Sequence, residues 1–347
     1  MSRERPTRKD VPTIRDVARQ AGVSTATVSR VLSGSGRVSR ELTERVRKVA
    51  ADLHFQPNRA ARSLRSRMRK TVGIVVPDIE NPLFGRLIRG IEAVLSPAGY
   101  TILLGHYDDV DKREQSVVSA FEAESVAGLI FVNGASPEGC YRRLAAVGIP
   151  LVAVLRQPVE VDVDRVMIRD VAAVRDAVLH LVGNGHRRIA LIDGAEGVST
   201  SALRRKGYED ALREASLEPD PELILHANWR LSGGREAMRQ LLALPRRPSA
   251  VFVANNLMTL GALACIWEAG LQIPDQIAMV GFDDMGWAAS LQPNLTALIH
   301  PAYEMGALAA QMLLERIRVP EGPIQSAELA CHLRIGGSCG ARSAAFS

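Results

Sequence analysis

The most pointed chemistry lies near the start of the chain, in TIRDVARQAGVSTATVSRVL. Arg30 carries a planar fork of donors suited to a bidentate contact with guanine, and the Thr25 methyl and Ala26 are of a size to touch thymine methyls. Further on, in HFQPNRAARSLRS, Leu64 stands among Arg59, Arg62, Arg65 and Arg67. An apolar wedge flanked by phosphate-holding cations is what prising open a base step from the minor groove demands; a solvated linker is the plainer reading. Catalytic constellations are missing. The seven histidines are dispersed, and Asp108–Asp109 and Asp283–Asp284 have no nucleophile or metal partner in view. No GxGxxG follows the first strand, and GxxxxGK[ST], HExxH, a nucleophile elbow and CxxC do not occur. His186, in GNGHRRIA, reads as a turn cap before a strand. No catalytic residue, metal site or cofactor is expected, and the chain does not read as an enzyme.

Elements that position the base-reading residues follow from apolar spacing. Ile14, Val17 and Ala18 share one helix face, Gly22 breaks it, and Ser24 is the N-cap of a second helix whose apolar face runs from Val28 to Leu32. Thr25, Ala26 and Arg30 point away from that face, as the second helix of a helix-turn-helix requires to enter the major groove. A third helix is predicted from Ser39 to Leu53, with Leu42, Val46, Val49 and Leu53 as its stripe. After Pro57, residues 58–65 are too short to be helical alone in water and need a partner or DNA to fold against.

From Thr71 the texture changes. VGIVVP (72–77), TILLG (101–105), GLIFV (128–132) and PLVAV (150–154) read as buried strands alternating with helices such as 83–95. RIALID (188–193), SAVFVA (249–254) and IAMVG (277–281) form a second set. Two such runs imply two doubly wound α/β subdomains, with ligands at the carboxyl ends of the strands.

Charge divides the 347 residues in the same way. Residues 1–70 carry 18 Lys/Arg against 6 Asp/Glu, a local +12, and the other 277 carry 25 against 32, a local −7. That is a polyanion-binding head on an acidic body. MSRERPTRKD has no apolar core, no run is long enough to span a membrane, and Cys140, Cys265, Cys331 and Cys339 lie at no metal or redox spacing. Reduced thiols in a cytoplasmic protein, with no membrane partner, are the expectation.

TIRDVARQAGVSTATVSRVLSG, then RVS and QPNRAARSLRS, resembles the lac repressor (LacI/GalR) family of transcription regulators. The resemblance continues through VGIVVPDIENPLFGRLIRGIE, GNGHRRIALI, ALRRKGYEDAL, AVFVANNLMTLGAL and IPDQIAMVGFDD, and LLGHYDDVDKREQ is nearest the gluconate-repressor-like branch. It implies a helix-turn-helix domain over 1–56, a hinge over 57–70 and an effector-binding, dimerising domain over 71–347. That domain divides into an N-subdomain (71–168 and 299–331) and a C-subdomain (169–298 and 332–347), both resembling periplasmic sugar-binding proteins. Thr25, Ala26 and Arg30 match the base-reading positions and Leu64 the hinge wedge; Thr13, Ser24, Thr27, Ser29, Asn58, Arg59, Ala61 and Arg62 complete the expected DNA-contacting set. Leu83, Phe84, Asp170, Thr200, Arg204, Trp229, Asn255 and Asp283 would face the effector, with Phe84 or Trp229 against a sugar ring. Ser33, Arg169–Asp170 and Asn255–Asn256 depart from the residues usual in the family. Arg169 beside Arg204, with Arg156 near, adds cations to the effector-facing set and implies an anionic effector, a sugar acid or sugar phosphate. Operator DNA, a small-molecule effector and a second copy are the implied partners. The ending GGSCGARSAAFS has no leucine heptad, so a homodimer is expected rather than a tetramer. A sugar-binding protein without DNA function and a cytoplasmic α/β enzyme are the competing readings.

Overall fold

A computed structural model describes residues 12–33, 38–53, 55, 70–134, 139–283, 286 and 291–340. The chain divides into two compact units, residues 1–69 and 70–347, treated separately below.

In the first unit, α1 (Ile14–Ala21), α2 (Thr25–Ser33) and α3 (Arg40–Asp52) close around Val17, Ala18, Ala21, Val28, Val31, Val46 and Ala50. Thr13 and Asp16 form a reciprocal capping box at the start of α1. Gly22 ends that helix at φ +66°, in the left-handed region that glycine adopts without a Cβ penalty. The Ser24 hydroxyl accepts from the Thr27 amide at 3.1 Å and opens α2, and Ser39 likewise accepts from Leu42 at 3.4 Å and opens α3.

The second unit holds two six-stranded sheets. One is built from β1 (Thr71–Val76), β2 (Thr101–His106), β3 (Gly128–Phe131), β4 (Leu151–Val154), β5 (Asp164–Ile168) and β11 (Ser326–Leu329), in the order β11-β5-β4-β3-β1-β2, all parallel. The other runs β12-β10-β9-β8-β6-β7, from β6 (Ile189–Asp193), β7 (Ile224–His226), β8 (Ala250–Val253), β9 (Ala278–Phe282), β10 (Thr296–Ile299) and β12 (His332–Arg334); only the β10–β12 pair is antiparallel. The inner strands are apolar throughout because helices cover both faces. Helices α4 (Pro82–Leu95), α5 (Asp111–Ala123), α6 (Cys140–Ala146) and α11 (Ala302–Arg318) belong to the first sheet. Helices α7 (Asp170–Gly183), α8 (Ser199–Glu214), α9 (Leu231–Ala243) and α10 (Asn256–Glu268) belong to the second. The chain passes between the sheets three times, at 169, 300–301 and 330–331.

Each sheet reverses its order beside its first strand, β1 or β6, and the loops leaving the carboxyl ends of the strands there are the ones that face the other subdomain. Sequence patterning locates seven of these strands within one or two residues. It passes over β5, whose burial alternates, and the three- to four-residue β7, β10, β11 and β12.

Candidate functional site

The residues expected to read DNA lie together on α2. Burial of Val28 and Val31 against α1 and α3 leaves Thr25, Ala26 and Arg30 exposed on α2, with Thr27 and Ser29 half-buried beside them. Thr13 and Ser24 are exposed at the helix starts. Their hydroxyls are engaged in caps, and the remaining first-turn amides form the positive end of each helix. Hydrogen bonds from Thr13 hold the Asp16 carboxyl below its usual pKa. Asn58, Arg59, Ala61, Arg62 and Leu64, with the rest of the 57–69 segment, lie outside the described residues, as do Trp287 and Asp284.

The second site is a cleft between the two subdomains. From the N-subdomain its walls are Pro77 and Asp78 after β1, Asn81, Leu83 and Phe84 at the start of α4, Asp109 after β2, Val132 after β3, and Leu155 and Arg156 after β4. From the C-subdomain they are Thr200 and Arg204 on α8, Trp229 and Arg230 after β7, Asn255 after β8 and Asp283 after β9. About 50 Å³ of room remains between these walls. Seven expected residues thus come together: Leu83, Phe84, Thr200, Arg204, Trp229, Asn255 and Asp283.

Two expected residues do not line it. Asp170 is buried one layer back, where its carboxylate accepts from Arg204 Nε at 2.8 Å and orients that guanidinium. Arg169 caps the start of α7 and is exposed, not a wall of the cleft. The expectation that it adds charge to the cleft beside Arg204 finds no support, because Arg169 is not among the lining residues.

Each nitrogen of Arg204 has a partner. Nε meets Asp170, Nη1 donates to the Ala254 carbonyl, Nη2 lies 3.4 Å from His300 Nε2, and the guanidinium stacks 3.9 Å over Phe282. His300 Nδ1 in turn bonds Asp283, which makes a buried chain Asp170–Arg204–His300–Asp283 whose Arg204 and Asp283 belong to the C-subdomain wall. Asn255 caps α10 through the Met258 amide at 2.8 Å and donates to the Trp229 carbonyl at 2.9 Å.

On the N-subdomain side, Arg156 is buried against Asp109 (2.8 Å), the Asn133 carbonyl (3.1 Å) and the Tyr107 hydroxyl (3.2 Å). Burial presses its guanidinium toward the neutral form, but Tyr107 and the Asp109 carboxylate outweigh that and hold its pKa above the usual arginine value. Arg230 crosses from the C-subdomain to the Asp108 carbonyl at 3.1 Å, with Asp78 Oδ2 at 3.8 Å. Asn256 bonds Asn81 at 2.7 Å, and the Gln157 amide bonds Ser199 at 3.1 Å. These are bridges between the two subdomains.

Sequence reasoning missed Asp78, Asn81, Asp109, Arg230 and His300. All five follow a β-strand carboxyl end or open a helix, and for all but His300 that strand or helix was visible in the sequence, so the rule placing ligands at strand ends could have found them. His300 is positioned by the crossover after β10, a strand the patterning passed over.

Comparison with known proteins bears on both sites. A model of "Bacterial regulatory proteins, lacI family" matches residues 13–58, and a "Periplasmic binding protein-like domain" matches residues 178–339. Over 326 residues the chain is 32% identical to the HTH-type transcriptional repressor CytR of Escherichia coli (strain K12), spanning 94% of this chain and 96% of that one. The chain belongs to the lacI family of bacterial regulatory proteins. It is similar to the ribose operon repressor of Haemophilus influenzae, 33% identical over 89% of this chain and 92% of that one. Among solved structures it resembles a transcriptional regulator CelR–cellobiose complex, with a TM-score of 0.72 at 30% identity over 94% of this chain and 99% of that one. The lac repressor dimer bound to operator shares its fold, with a TM-score of 0.84 at 24% identity over 95% of this chain and 99% of that one. Like these lacI-family relatives, the protein is a DNA-binding transcriptional regulator rather than an enzyme. Among the described residues no helix is long and apolar enough to cross a membrane.

Proposed function

We propose that the chain is a cytoplasmic repressor that binds operator DNA as a homodimer and whose DNA affinity is set by a small sugar-like effector in the cleft. The observation that carries this reading is the convergence of polar side chains from two doubly wound subdomains on one cleft, in a chain that also presents a helix-turn-helix reading face. The effector class is supported by the relatives: CelR is described in complex with cellobiose, and a lacI-family regulator of Enterococcus faecium, 26% identical with a TM-score of 0.70 over 78% of this chain and 98% of that one, with bound ribose. The present gap of about 50 Å³ holds a water or two, so a sugar ring enters only when the subdomains part. Closure on the ring then changes the spacing of the two hinge segments in a dimer and the insertion of Leu64.

Charge argues for a neutral polyol. Asp78, Asp109 and Asp283 stand against Arg156, Arg204 and Arg230 around the cleft, and Arg169 is elsewhere. A sugar acid, which the sequence suggests, would add a negative charge to a set already balanced.

Gel retardation on the chain's own upstream DNA, at two salt concentrations and with ribose, cellobiose or gluconate, tests the reading. The expected result is sequence-specific retention that weakens steeply with salt and shifts with one of the sugars. Leu64→Ala should weaken retention while leaving sugar binding intact. Retention that ignores sequence and every ligand would refute the reading.

A further inference from the structure

Beside the cleft, one N–H faces two acceptors. His226, in register with Asp193 across the β6–β7 pair, places its Nδ1 3.4 Å from the Gly194 carbonyl and 3.8 Å from Asp193 Oδ2. A carbonyl can only accept, so Nδ1 carries the proton and gives it to Gly194. Asp193 Oδ1 takes the Gly194 amide at 2.8 Å, while Oδ2 is sealed from solvent with no hydrogen bond, in a residue only 1% exposed. A buried carboxyl so placed is tolerated while neutral; as a carboxylate it needs a donor. His226 Nδ1 stands about 1 Å beyond the length of a charge-assisted bond.

Gly194 is also what Trp229 leans on. A Cβ on Gly194 would fall 1.9 Å from Trp229 Cζ2, so the indole lies on the Gly194 backbone. Asn255 ties the Trp229 carbonyl, but the indole nitrogen is buried without a partner, so no hydrogen bond holds the ring against a shift beneath it. The 194–198 loop then leads to the neighbouring wall. The Ala195 carbonyl accepts from Ser201 at 2.7 Å, next to Thr200 and on the helix that carries Arg204. Around Asp193, β7 brings His226 and α8 brings Arg204 and Arg205. The loop brings Glu196, largely in solvent and 3.5 Å from His226 Nε2, and β8 on the other side brings only the apolar run Ala250–Val253. Burial outweighs these cations and pushes the Asp193 pKa up to about 6.

We infer that Asp193 is a proton-linked positioning residue for the cleft: when its buried oxygen ionises it draws the His226 N–H off the Gly194 carbonyl, and the 194–198 loop and the Trp229 ring reset together. This deepens, and rests on, the reading of the cleft as the effector site. The neutral acid favours the arrangement described here, with His226 on Gly194, and a neutral isostere holds it at every pH.

Fluorine NMR on the full chain labelled with 5-fluorotryptophan tests the inference. Of the three tryptophans, Trp267→Phe and Trp287→Phe assign two resonances and so identify Trp229 without touching it. The Trp229 resonance should move in one step with its midpoint at about pH 6. In Asp193→Asn it should stay at its low-pH position throughout. In His226→Gln, which keeps a donor and loses the cationic form, a step should remain at higher pH. Cooperative urea unfolding shows that both variants fold. No step in the parent or a step that persists in Asp193→Asn would overturn the inference, and so would a step lost in His226→Gln, which assigns the proton to the imidazole. For any sugar that shifts operator retention, calorimetric affinity should differ by about fivefold or more between pH 5.5 and 7.5 in the parent and by less than about twofold in Asp193→Asn. Equal affinities in the parent, or the same pH dependence in both proteins, also overturn it. If no ligand shifts retention, the effector-site reading falls, while the fluorine titration still decides whether Asp193 moves Trp229.

Discussion

Asp193 ends β6 with one carboxylate oxygen accepting the Gly194 amide at 2.8 Å and the other buried with no hydrogen bond. Burial pushes its pKa up to about 6, with His226, 3.8 Å away, too weak a partner to reverse that. The folded value exceeds the unfolded one, so the stability this group supplies is full below about pH 4 and is lost as pH rises through 6. Asp193→Asn should remove that loss and leave the protein more stable at pH 8 by up to about 3 kcal/mol, with little difference at pH 4. Urea unfolding at the two values checks it, and equal gains at both would contradict the assignment. The cleft shows the same limit on reading single residues. Thr200, Arg204, Asn255 and Asp283 could be placed from their positions in the family's motifs, and all four line the cleft. Arg169 has the right type, but it is exposed at a helix start and is not a wall of the cleft, and no property of arginine foretells that.

At the scale of elements, α4 and α11 cross with backbones nearly touching. A Cβ on Gly306 would fall 2.0 Å from the Leu87 carbonyl oxygen, and one on Gly90 would fall 2.0 Å from the Tyr303 carbonyl oxygen. Gly306→Ala should therefore cost at least about 2 kcal/mol, because a backbone atom cannot rotate away as a side chain can. Gly85, on the same α4 but exposed and with nothing within 4 Å of its Cβ position, is the control. Gly85→Ala should be neutral or stabilise by about 0.5–1 kcal/mol. Thermal unfolding of the two variants distinguishes a packing cost from a general sensitivity of this helix. Strands with unbroken apolar runs, such as β3 and β8, were legible because burial on both faces demands that pattern. The short edge strands β11 and β12 were not, since only their pairing with β5 and β10 makes them strands.

At the scale of the molecule, two subdomains joined by three crossings are held across the cleft by a few polar bridges. Arg230, about one-third exposed, contributes little energy as an ion pair, but it spans the mouth to both Asp78 and Asp108. Arg230→Ala should raise the open fraction modestly, by about two- to fivefold. Hydrogen exchange reads this at the Gln157 amide, which bonds Ser199 only when the cleft is closed. Unchanged protection there would show that the remaining bridges set the equilibrium.

The sequence alone was enough for the helix-turn-helix with its caps, the basic head on an acidic body, the two α/β layers and the family. All of these depend on local spacing, charge and motif, which are properties of neighbouring residues. Only the tertiary structure decided which cations reach the cleft, that Asp170 orients Arg204 without lining it, and that the Trp229 ring lies against Gly194 with its N–H unpaired. Those facts depend on partners tens to more than a hundred residues apart, brought together at strand ends by the order of the sheets. Chain-local patterns hold no information on which donor has already found its acceptor.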